Sequence, residues 1–585
     1  MFKSLQLTGI VPLLIVGPLP ARPAECAHTE YGWTAASGAD EDDSANGVVS
    51  ATDGSLLVTG VMRGTVDFDP GTKKDKHRSK GLGDIFVSRF DPYSEYSYTI
   101  RIGGKLLDGG LGISVASNGD SLLCGSFQGK VDFDPGKAKD KHKASGHDAF
   151  VTSYGAGGDY RWTRTFAGNG PEDVAKDIVI DPEGNIIVVG DFTGTADFDP
   201  GSGKDRRTSF GRNDVFVVQL DGRGRYLWSS TFGGPLDDHA FGAAVDGNGN
   251  VVVTGYFRGS VDFDPGPGVD MHHSAGNEDA FITKLGPDGA YHWTHTFGGV
   301  GFNDQGRDVM TDEAGNIYAT GSFVDTVDFD RRGDGDIRIA KGFSDIFVTS
   351  RAGDGSYRWT AHMGGTNIEA GFSIALDRNL VQLVVVGPFS GTVDFDPGEG
   401  LDERTAISGP RDIFATWLTL DAAYVRTDTI GGTGNDVPWS VAVAPDSSVV
   451  VAGKFDSSDA DFDPTSGVDV HATNGRDDMF IAKLYCGPCE AVERHSLTVK
   501  EKNRTLLGEV RALVPGGRVT VECTPTDPPG EPIQTRVDID GENMGKYKLK
   551  NLKKGEYACA ITEVRDADGK SVCDQPAGKR TVTVK

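Results

Sequence analysis

Short runs of alternating apolar and polar residues, separated by glycine-rich turns, recur along most of the chain. Residues 241–245 and 251–257 are two such runs, joined by an Asp-Gly-Asn-Gly turn. Two more follow after a polar loop, at residues 280–285 and 291–297. Runs of this length that are rich in β-branched and aromatic residues and bounded by turn residues predict strands. A glycine interrupts every stretch with a helical period, which excludes long helices.

This unit of four runs recurs seven times. Its marker, Asp-Phe-Asp-Pro, starts at residues 67, 132, 197, 262, 394 and 461, and a variant, Asp-Phe-Asp-Arg, starts at residue 328. Successive starts lie 65 to 67 residues apart. This period is too long for an ankyrin or leucine-rich unit, but it suits a four-stranded propeller blade with one long loop. The sequence therefore predicts an all-β, seven-bladed β-propeller.

The two ends of the repeat region predict how the ring closes. The segment Tyr31-Gly-Trp33-Thr34 matches the fourth run of the other units, whereas the last unit stops after its third run, at residues 479–484. Pairing the opening segment with that last run supplies the missing strand and removes an exposed sheet edge. We therefore expect residues 31–36 to lie beside residues 479–485.

Residues 1–27 have the features of an export signal. Lys3 precedes an apolar run at residues 5–19, which is too short and too broken by glycine and proline to span a bilayer. Cleavage positions are offered by Ala21, Ala24 and Ala27. A lipoprotein anchor at Cys26 is the alternative. Either way, we expect the mature chain to act outside the cytoplasm, without a transmembrane segment.

The unit carries motifs of a known family. These are Gly-Asn turns such as Gly184-Asn185, a Gly-x-Phe-x-Gly motif at residues 125–129 and an Asp-x-Phe-Val motif at residues 214–217. In these motifs the chain resembles the SBBP repeats of bacterial secreted and surface proteins, over about residues 31–485. The resemblance implies a propeller that is secreted, at a bacterial cell surface or in the periplasm. It implies no particular ligand.

The period ends near residue 485, which predicts four segments: a signal peptide at 1–27, the propeller at 28–485, a linker at 486–495 and a small β-sandwich at 496–585. Strands are expected in the last segment at residues 496–500, 518–523, 534–539, 546–549, 557–562 and 581–585. Residues 540–557 resemble transthyretin-like or carboxypeptidase-regulatory-like surface modules. Tyr557, two residues before Cys559, is also similar to the tyrosine corner of immunoglobulin domains.

Each unit carries aspartates at repeated positions. Three follow the pattern Asp-x-Asp-x5-Asp: Asp67, Asp69 and Asp75; Asp132, Asp134 and Asp140; Asp197, Asp199 and Asp205; Asp262, Asp264 and Asp270; Asp328, Asp330 and Asp336; Asp394, Asp396 and Asp402; Asp461, Asp463 and Asp469. A fourth precedes the third run: Asp84, Asp148, Asp214, Asp279, Asp345, Asp412 and Asp478. Alternation along a strand places the first two carboxylates on one face and the phenylalanine on the other, in the packing between blades.

Two hypotheses explain these carboxylates. Calcium takes six to eight oxygen ligands, and it would offset the repulsion between crowded carboxylates. Alternatively, the aspartates accept backbone N–H groups within turns. The histidines of the polar loops, His142, His272, His273 and His471, are expected to occupy no single repeated position, and zinc is not expected.

The cysteines predict disulfide bonds in an oxidising compartment. Cys26 precedes the closing strand and is expected to bond Cys486 or Cys489, whereas Cys124 is expected to be a buried small apolar residue. In the last segment, Cys559 is expected to bond Cys523 or Cys573. The Cys486-Gly-Pro-Cys489 motif lacks the βαβ setting that thioredoxin-type redox chemistry needs.

Composition limits the function. The chain of 585 residues has 58 Lys and Arg against 85 Asp and Glu, a net charge of −27, so it repels nucleic acid. It contains no Ser-His-Asp signature, nucleophile elbow or phosphate-binding loop. We therefore expect a monomeric, non-catalytic propeller that presents loops to a protein or carbohydrate ligand. A polysaccharide hydrolase or lyase that uses the mouth of the central channel is one alternative. A structural spacer or adhesion protein is another.

Overall fold

The computed structural model describes residues 29–486, apart from residues 72, 93, 302 and 408, and the backbone of eight strands between residues 494 and 584. In all of these residues the regular elements are strands. Seven four-stranded sheets surround a central channel, which is lined by the innermost strand of every sheet. The prediction of an all-β, seven-bladed propeller is confirmed.

The first four blades follow the repeat in order. Blade 1 contains β2 (Ser44–Ser50), β3 (Leu56–Met62), β6 (Asp84–Phe90) and β7 (Tyr96–Ile102). Blade 2 contains β8 (Gly109–Val115), β9 (Ser121–Asp132), β10 (Lys141–Tyr154) and β11 (Tyr160–Gly168). Blade 3 contains β12 (Asp173–Ile180), β13 (Ile186–Phe192), β16 (Asp214–Leu220) and β17 (Tyr226–Phe232). Blade 4 contains β18 (His239–Val245), β19 (Val251–Phe257), β22 (Asp279–Leu285) and β23 (Tyr291–Phe297).

The remaining three blades complete the ring. Blade 5 contains β24 (Gln305–Thr311), β25 (Ile317–Phe323), β28 (Asp345–Arg351) and β29 (Tyr357–Gly365). Blade 6 contains β30 (Ser373–Asp377), β31 (Gln382–Phe389), β34 (Asp412–Thr419) and β35 (Tyr424–Ile430). Blade 7 contains β36 (Val437–Val443), β37 (Val449–Phe455) and β40 (Asp478–Cys486), and its outer strand is β1 (Thr29–Ser37).

The opening strand closes the ring as the sequence predicts. β1 runs antiparallel to β40, with Thr34 opposite Ala482. Tyr31 donates its hydroxyl to Asp469, which is the bond that the first tyrosine of the outer strand makes in every other blade. The donated strand therefore reproduces both the pairing and the side-chain contact of an internal outer strand.

The long loop between the second and third strands of each blade forms a two-stranded ribbon. In blade 2 it is an extension of β9 and β10. The other ribbons are β4 (Thr65–Asp67) with β5 (Lys76–Arg78), β14 (Thr195–Asp197) with β15 (Arg206–Thr208), β20 (Ser260–Asp262) with β21 (Met271–His273), β26 (Thr326–Asp328) with β27 (Ile337–Ile339), β32 (Thr392–Asp394) with β33 (Glu403–Thr405), and β38 (Ala460–Asp461) with β39 (Val470–His471). Several ribbons also pair with the outer strand of the preceding blade.

The core lies between neighbouring blades. One cluster, for example, contains Leu57 and Ile85 of blade 1 together with Leu123 and Phe150 of blade 2. The phenylalanine of the Asp-Phe-Asp marker is buried there, as predicted: the ring of Phe133 lies 5.1 Å from that of Phe150. The ribbon tip therefore seals the outer edge of the gap between blades.

The last segment contains eight strands. They are β41 (Arg494–Lys500), β42 (Thr505–Arg511), β43 (Arg518–Asp527), β44 (Ile533–Asp538), β45 (Met544–Leu549), β46 (Gly555–Arg565), β47 (Ser571–Cys573) and β48 (Ala577–Val584). The order β41-β42-β45 forms one sheet; β44-β43-β46-β47, with β48 also paired to β46, forms another. Six of these strands overlap the predicted ones, and β42 and β47 were missed. The sandwich and the bounds of the four predicted segments stay predictions.

Candidate functional site

One residue near the start of each innermost strand lies at the mouth of the channel. In six blades the pairing of the first two strands skips this residue, which makes it a β-bulge; in blade 6 it directly precedes β30. The bulge turns the side chain away from the regular alternation of the sheet. We call these residues the channel ring: Asn46, Leu111, Lys176, Phe241, Arg307, Phe372 and Trp439.

The channel ring varies from blade to blade although its backbone geometry repeats. It contains three aromatic side chains, two cations, one leucine and one amide. The next residue of each strand is small or acidic: Gly47, Gly112, Asp177, Gly242, Asp308, Ser373 and Ser440. Because these side chains are short, the channel stays open and encloses about 590 Å³. The mouth is therefore both concave and non-repetitive.

Five consecutive positions of the channel ring are in contact and form what we call the aromatic–cationic band. The guanidinium carbon of Arg307 lies 4.6 Å from the ring centre of Phe241 and 5.1 Å from that of Phe372. Lys176 Nζ lies 4.5 Å from the centre of Phe241. Phe372 stacks on Trp439 with ring centres 5.3 Å apart and planes 18° apart. The negative faces of aromatic rings hold cations in this way.

The two cations of the band differ in their counter-charges. Lys176 Nζ lies 2.6 Å from one carboxylate oxygen of Asp191, and Nδ1 of His239 lies 3.1 Å from the other oxygen. Arg307 makes no ion pair or hydrogen bond with any described residue, and its Nε is buried without a partner. Burial lowers the pKa of its guanidinium, and the charge of Glu278, which pairs with Arg258, opposes this shift only in part. A desolvated guanidinium without an ion-pair partner is costly, so Arg307 is the group that an anionic ligand would stabilise most.

Two clefts extend from the band on the same face. One, of about 580 Å³, lies beside Arg307 and Phe372, and Phe343 and Ile368 also line it. These two apolar side chains are 74% and 45% exposed. The other cleft, of about 380 Å³, lies beside Trp439. The corresponding loops of other blades also expose apolar residues, namely Leu82, Leu106, Phe210 and Leu236. Exposed apolar residues around a concave site are typical of an interaction surface.

A ring of buried carboxyl groups holds the loops of this face in place. Each stands three residues before a member of the channel ring: Asp43, Asp108, Asp173, Asp238, Asp304, Glu369 and Asp436. Asp304 is representative, since its two oxygens accept the N–H groups of Gly299 at 2.8 Å and Val324 at 2.7 Å. Burial raises the pKa of Asp304 to about 7 and that of Glu369 to about 8. These carboxyl groups were not predicted from the sequence, although they recur with the 65-residue period.

Two further carboxylates line the channel itself, in blades 3 and 5 alone. Asp177 accepts the N–H of Ala243 in the next blade at 2.9 Å, and Asp308 accepts the N–H of Ile374 at 2.9 Å. Burial, followed by the nearby charge of Asp177, raises the pKa of Asp308 to about 7. Both carboxylates therefore join neighbouring blades through the channel wall. They were also missed, because an aspartate in so acidic a chain gives no distinctive signal.

The aspartates of the repeated pattern lie at the ribbon tips, and all of their carboxylates except that of Asp330 accept hydrogen bonds from described residues. In blade 1, Asp67 accepts the N–H of Asp75 at 2.9 Å, and Asp69 accepts the N–H of Gly71 at 2.8 Å. Asp75 accepts the hydroxyl of Tyr96. The bond from the third aspartate to the first occurs in all seven blades. These are the bonds expected under the turn hypothesis.

The fourth aspartate of each unit is buried and closes the loop before the third strand. Asp84, for example, accepts the N–H of Lys80 at 3.0 Å. In the described part of the chain, no group of three or more His, Cys, Asp or Glu side chains is arranged to hold a metal ion. Calcium binding at the 21 aspartates of the repeated pattern stays a prediction.

The expectation that the histidines occupy no repeated position is wrong. His77, His142, His272 and His471 share one position, in the second strand of the ribbon or its equivalent, and Arg207, Arg338 and Arg404 take it in the other blades. Each lies 2.9 to 3.3 Å from the third aspartate of its unit. The position was missed because arginine substitutes for histidine in three blades.

The cysteine predictions have mixed outcomes. Cys124 is buried in β9, as expected. Cys26 and Cys489 lie outside the described residues, and the backbone of Cys486 lies opposite Thr29, so the predicted bond to Cys26 stays a prediction. The strand register places Cys523 opposite Cys559, which is one of the two predicted pairings. In the part of the chain that is described, no helix is long and apolar enough to cross a membrane.

Comparison with known proteins gives distant relatives. No family model matches the chain. An uncharacterized WD repeat-containing protein of Acanthamoeba polyphaga mimivirus is 24% identical over 344 residues, which is 48% of this chain and 25% of that protein. The regulatory protein FlaEY of Caulobacter vibrioides is 27% identical over 251 residues, 42% of this chain and 24% of that protein. The chain thus spans about a quarter of the length of these curated relatives.

Among solved structures, Sqt1 from Chaetomium thermophilum is similar over 83% of this chain and 97% of its own, with 10% identity and a TM-score of 0.35. The class that fold and sequence together define is a seven-bladed β-propeller with relatives of the WD-repeat kind.

Proposed function

We propose that this protein is a non-catalytic scaffold that binds a partner protein at the channel mouth. The observation that supports this most is Arg307, a guanidinium that lies between two aromatic rings without a counter-charge. A partner that inserts a carboxylate beside an apolar side chain would pair with Arg307 and pack on Trp439, which is 37% exposed. The exposed apolar loops around the mouth favour a protein over a small ligand. A WD repeat-containing relative fits this role.

We place this function outside the cytoplasm, as the export signal predicted at residues 1–27 would require. Two other functions have a specific observation in their favour. The Phe372–Trp439 stack offers a flat platform of the kind on which sugar rings pack, which favours a carbohydrate ligand. Asp177 and Asp308 are carboxylates of the channel with raised pKa, as a polysaccharide hydrolase or lyase would require. However, both carboxylate oxygens of Asp177 and of Asp308 accept hydrogen bonds from the channel wall, which favours a structural role for the two residues over a catalytic one.

Site-specific photo-crosslinking of the full chain, in the medium or cell envelope of its natural host, tests the proposal. A photoreactive phenylalanine at Trp439 is expected to form adducts with one or a few proteins, identified by mass spectrometry. The matched control is the same residue at Asp288, which is exposed in a turn at the opposite end of the blades. In an Arg307→Ala background, the adducts from position 439 are expected to fall at least fivefold.

Three results would contradict protein binding. Equal adducts from positions 439 and 288 would indicate non-specific collision. Saturable binding to acidic or neutral glycans that is lost in Trp439→Ala would favour the carbohydrate ligand instead. Release of reducing ends from a polysaccharide, lost in Asp308→Asn, would favour the hydrolase.

A further inference from the structure

At three of the positions where blade 5 departs from the repeat, the residue is an arginine. Arg331 replaces the proline of the Asp-Phe-Asp-Pro marker, and Arg332 follows it where five other blades have glycine. Arg351 ends β28, opposite the first tyrosine of the outer strand. The residues at this position in the other blades are all apolar or aromatic and buried: Phe90, Tyr154, Leu220, Leu285, Leu418 and Leu484.

The three arginines meet in one cavity at the rim of the propeller. It encloses about 310 Å³ and lies between the ribbon and outer strand of blade 4 and the ribbon tip of blade 5. Blade 4 contributes three histidines, His272, His273 and His295. We call this space the blade 4–5 cavity. A concentration of cations in one cavity is unusual in a chain with a net charge of −27.

Arg351 is a buried cation that forms no ion pair with the described residues. It is only 3% exposed. Its two terminal nitrogens donate to the backbone carbonyls of Gly355, at 3.2 Å, and Phe329, at 2.7 Å, and its Nε has no partner. Among the described residues it forms no ion pair; burial lowers the pKa of its guanidinium to about 10, and the charge of Asp330 opposes this shift only in part. A buried and unpaired guanidinium destabilises the fold by several kcal/mol unless an anion compensates.

The neighbouring groups compensate only part of the positive charge: Arg331 pairs with Asp279 at 3.7 Å and donates to the carbonyl of Gly298. Arg332 makes no hydrogen bond or ion pair with the described residues. Asp270 is already shared by His272, at 3.1 Å, and Tyr291. The ring nitrogens of His295 have no hydrogen-bond partner among the described residues, and burial together with the charges of Arg351 and Arg332 lowers the pKa of His295 to about 3. Among the described residues, the guanidinium of Arg332, the Nε of Arg351 and the imidazole of His295 are therefore the groups of the cavity without a partner.

We propose that the blade 4–5 cavity binds a tetrahedral oxyanion, as phosphate or sulfate or as one of their monoesters. Guanidinium groups match two oxygens of such an anion at once and remain charged at any physiological pH. The volume of the cavity is about ten times the 30 Å³ that one water molecule occupies in the liquid. It therefore has room for the anion and a small attached group. None of its lining residues belongs to the channel ring, so this site is independent of the proposed function.

Isothermal titration calorimetry of the full chain with inorganic phosphate and with sulfate, at low ionic strength, tests the proposal. Both anions are expected to bind saturably at one site, whereas acetate at the same concentration is not. Arg351→Leu restores the residue found in four other blades, and it is expected to weaken binding at least tenfold without loss of thermal stability. The double variant Arg331→Pro/Arg332→Gly restores the marker of the repeat and is expected to have a similar effect. Arg206→Ala removes a 64% exposed arginine from the ribbon of blade 3 and serves as the control.

Each outcome of the titrations either supports the anion site or overturns it. Tenfold weaker binding in both blade 5 variants, with Arg206→Ala unchanged, supports the site. No saturable heat with either anion, equal binding of acetate, or equal weakening by Arg206→Ala would overturn it. If Arg351→Leu fails to fold, the Arg331→Pro/Arg332→Gly variant decides. Methyl phosphate and methyl sulfate then distinguish free anions from monoesters, because a site for monoesters binds them at least as tightly as the inorganic ions.

Discussion

Closure of the ring by β1 predicts that Tyr31 stabilises the propeller as much as an internal tyrosine does. Tyr31 donates to Asp469, and Tyr160 of blade 2 donates to Asp140. The two sites are closely matched: each acceptor also lies within 3.3 Å of the histidine two residues after it, His471 or His142. The change Tyr→Phe removes the hydroxyl and leaves the ring packing in place. Comparison of Tyr31→Phe with Tyr160→Phe therefore isolates one hydrogen bond in a donated strand and in an internal one.

The expected cost follows from the type of bond. A hydrogen bond to a charged group contributes about 1.5–3 kcal/mol, and we take about 2 kcal/mol because both tyrosines are half-buried. Unfolding about 460 residues changes the entropy by about 1 kcal/mol/K near the midpoint. Each variant is therefore expected to lower Tm by about 2 °C, and the double variant by about 4 °C, since the sites are far apart.

Differential scanning calorimetry of the full chain measures these shifts. If Tyr160→Phe lowers Tm by about 2 °C and Tyr31→Phe leaves it unchanged, β1 is not docked in solution and the closure is refuted. If neither variant changes Tm, the tyrosine–aspartate hydrogen bond contributes no stability, and the free energy assigned to it above is wrong. Truncation before residue 38 provides a second check, because it exposes the edge of β40 and is expected to cause association or loss of the cooperative transition.

Two further predictions concern the carboxylates. Burial raises the pKa of Asp304 from 3.8 to about 7, so between pH 4 and 7 the folded chain binds more protons than the unfolded chain, and its stability falls as pH rises, by up to about 4 kcal/mol for this group. We expect Tm to be lower at pH 8 than at pH 5 and the difference to shrink in Asp304→Asn; a Tm that rises with pH would contradict this. The hydrogen bonds at the ribbon tips predict that EDTA leaves Tm unchanged. A drop of several degrees that calcium reverses would establish the calcium hypothesis instead.

The blades and their closure could be predicted from the sequence because they depend on local signals that recur. Each strand shows its own alternation, each turn its own glycine or asparagine, and seven copies identify the unit even where one copy is irregular. The complementary ends, Tyr31 at the start and Leu484 near the end, determine the pairing, since no other arrangement completes all the blades. Buried contacts of the marker phenylalanines follow from the same period.

The candidate site was not predictable in the same way. A bulge interrupts the alternation on which strand prediction depends, so Phe241 was read as part of a strand face and not as a residue of the channel mouth. The channel ring also has no common residue type, and a search for repeated letters cannot find it. In the blade 4–5 cavity, Arg331 and Arg351 are twenty positions apart, and His295 comes from another blade. Their proximity depends on the packing of blades, which no local pattern describes.

These two sites suggest where a repeat protein carries its specific chemistry. Positions with the same environment in every blade have one best residue on packing grounds, and leucine at the position of Arg351 is that residue in four blades. An arginine there loses the burial energy of the leucine and adds the desolvation of a cation, which together amount to several kcal/mol. Because the fold of blade 5 is otherwise that of its neighbours, packing alone does not account for the arginine. A ligand that neutralises the guanidinium would account for Arg351. The same reasoning applies to Arg307 at the channel mouth, which has no ion-pair partner among the described residues.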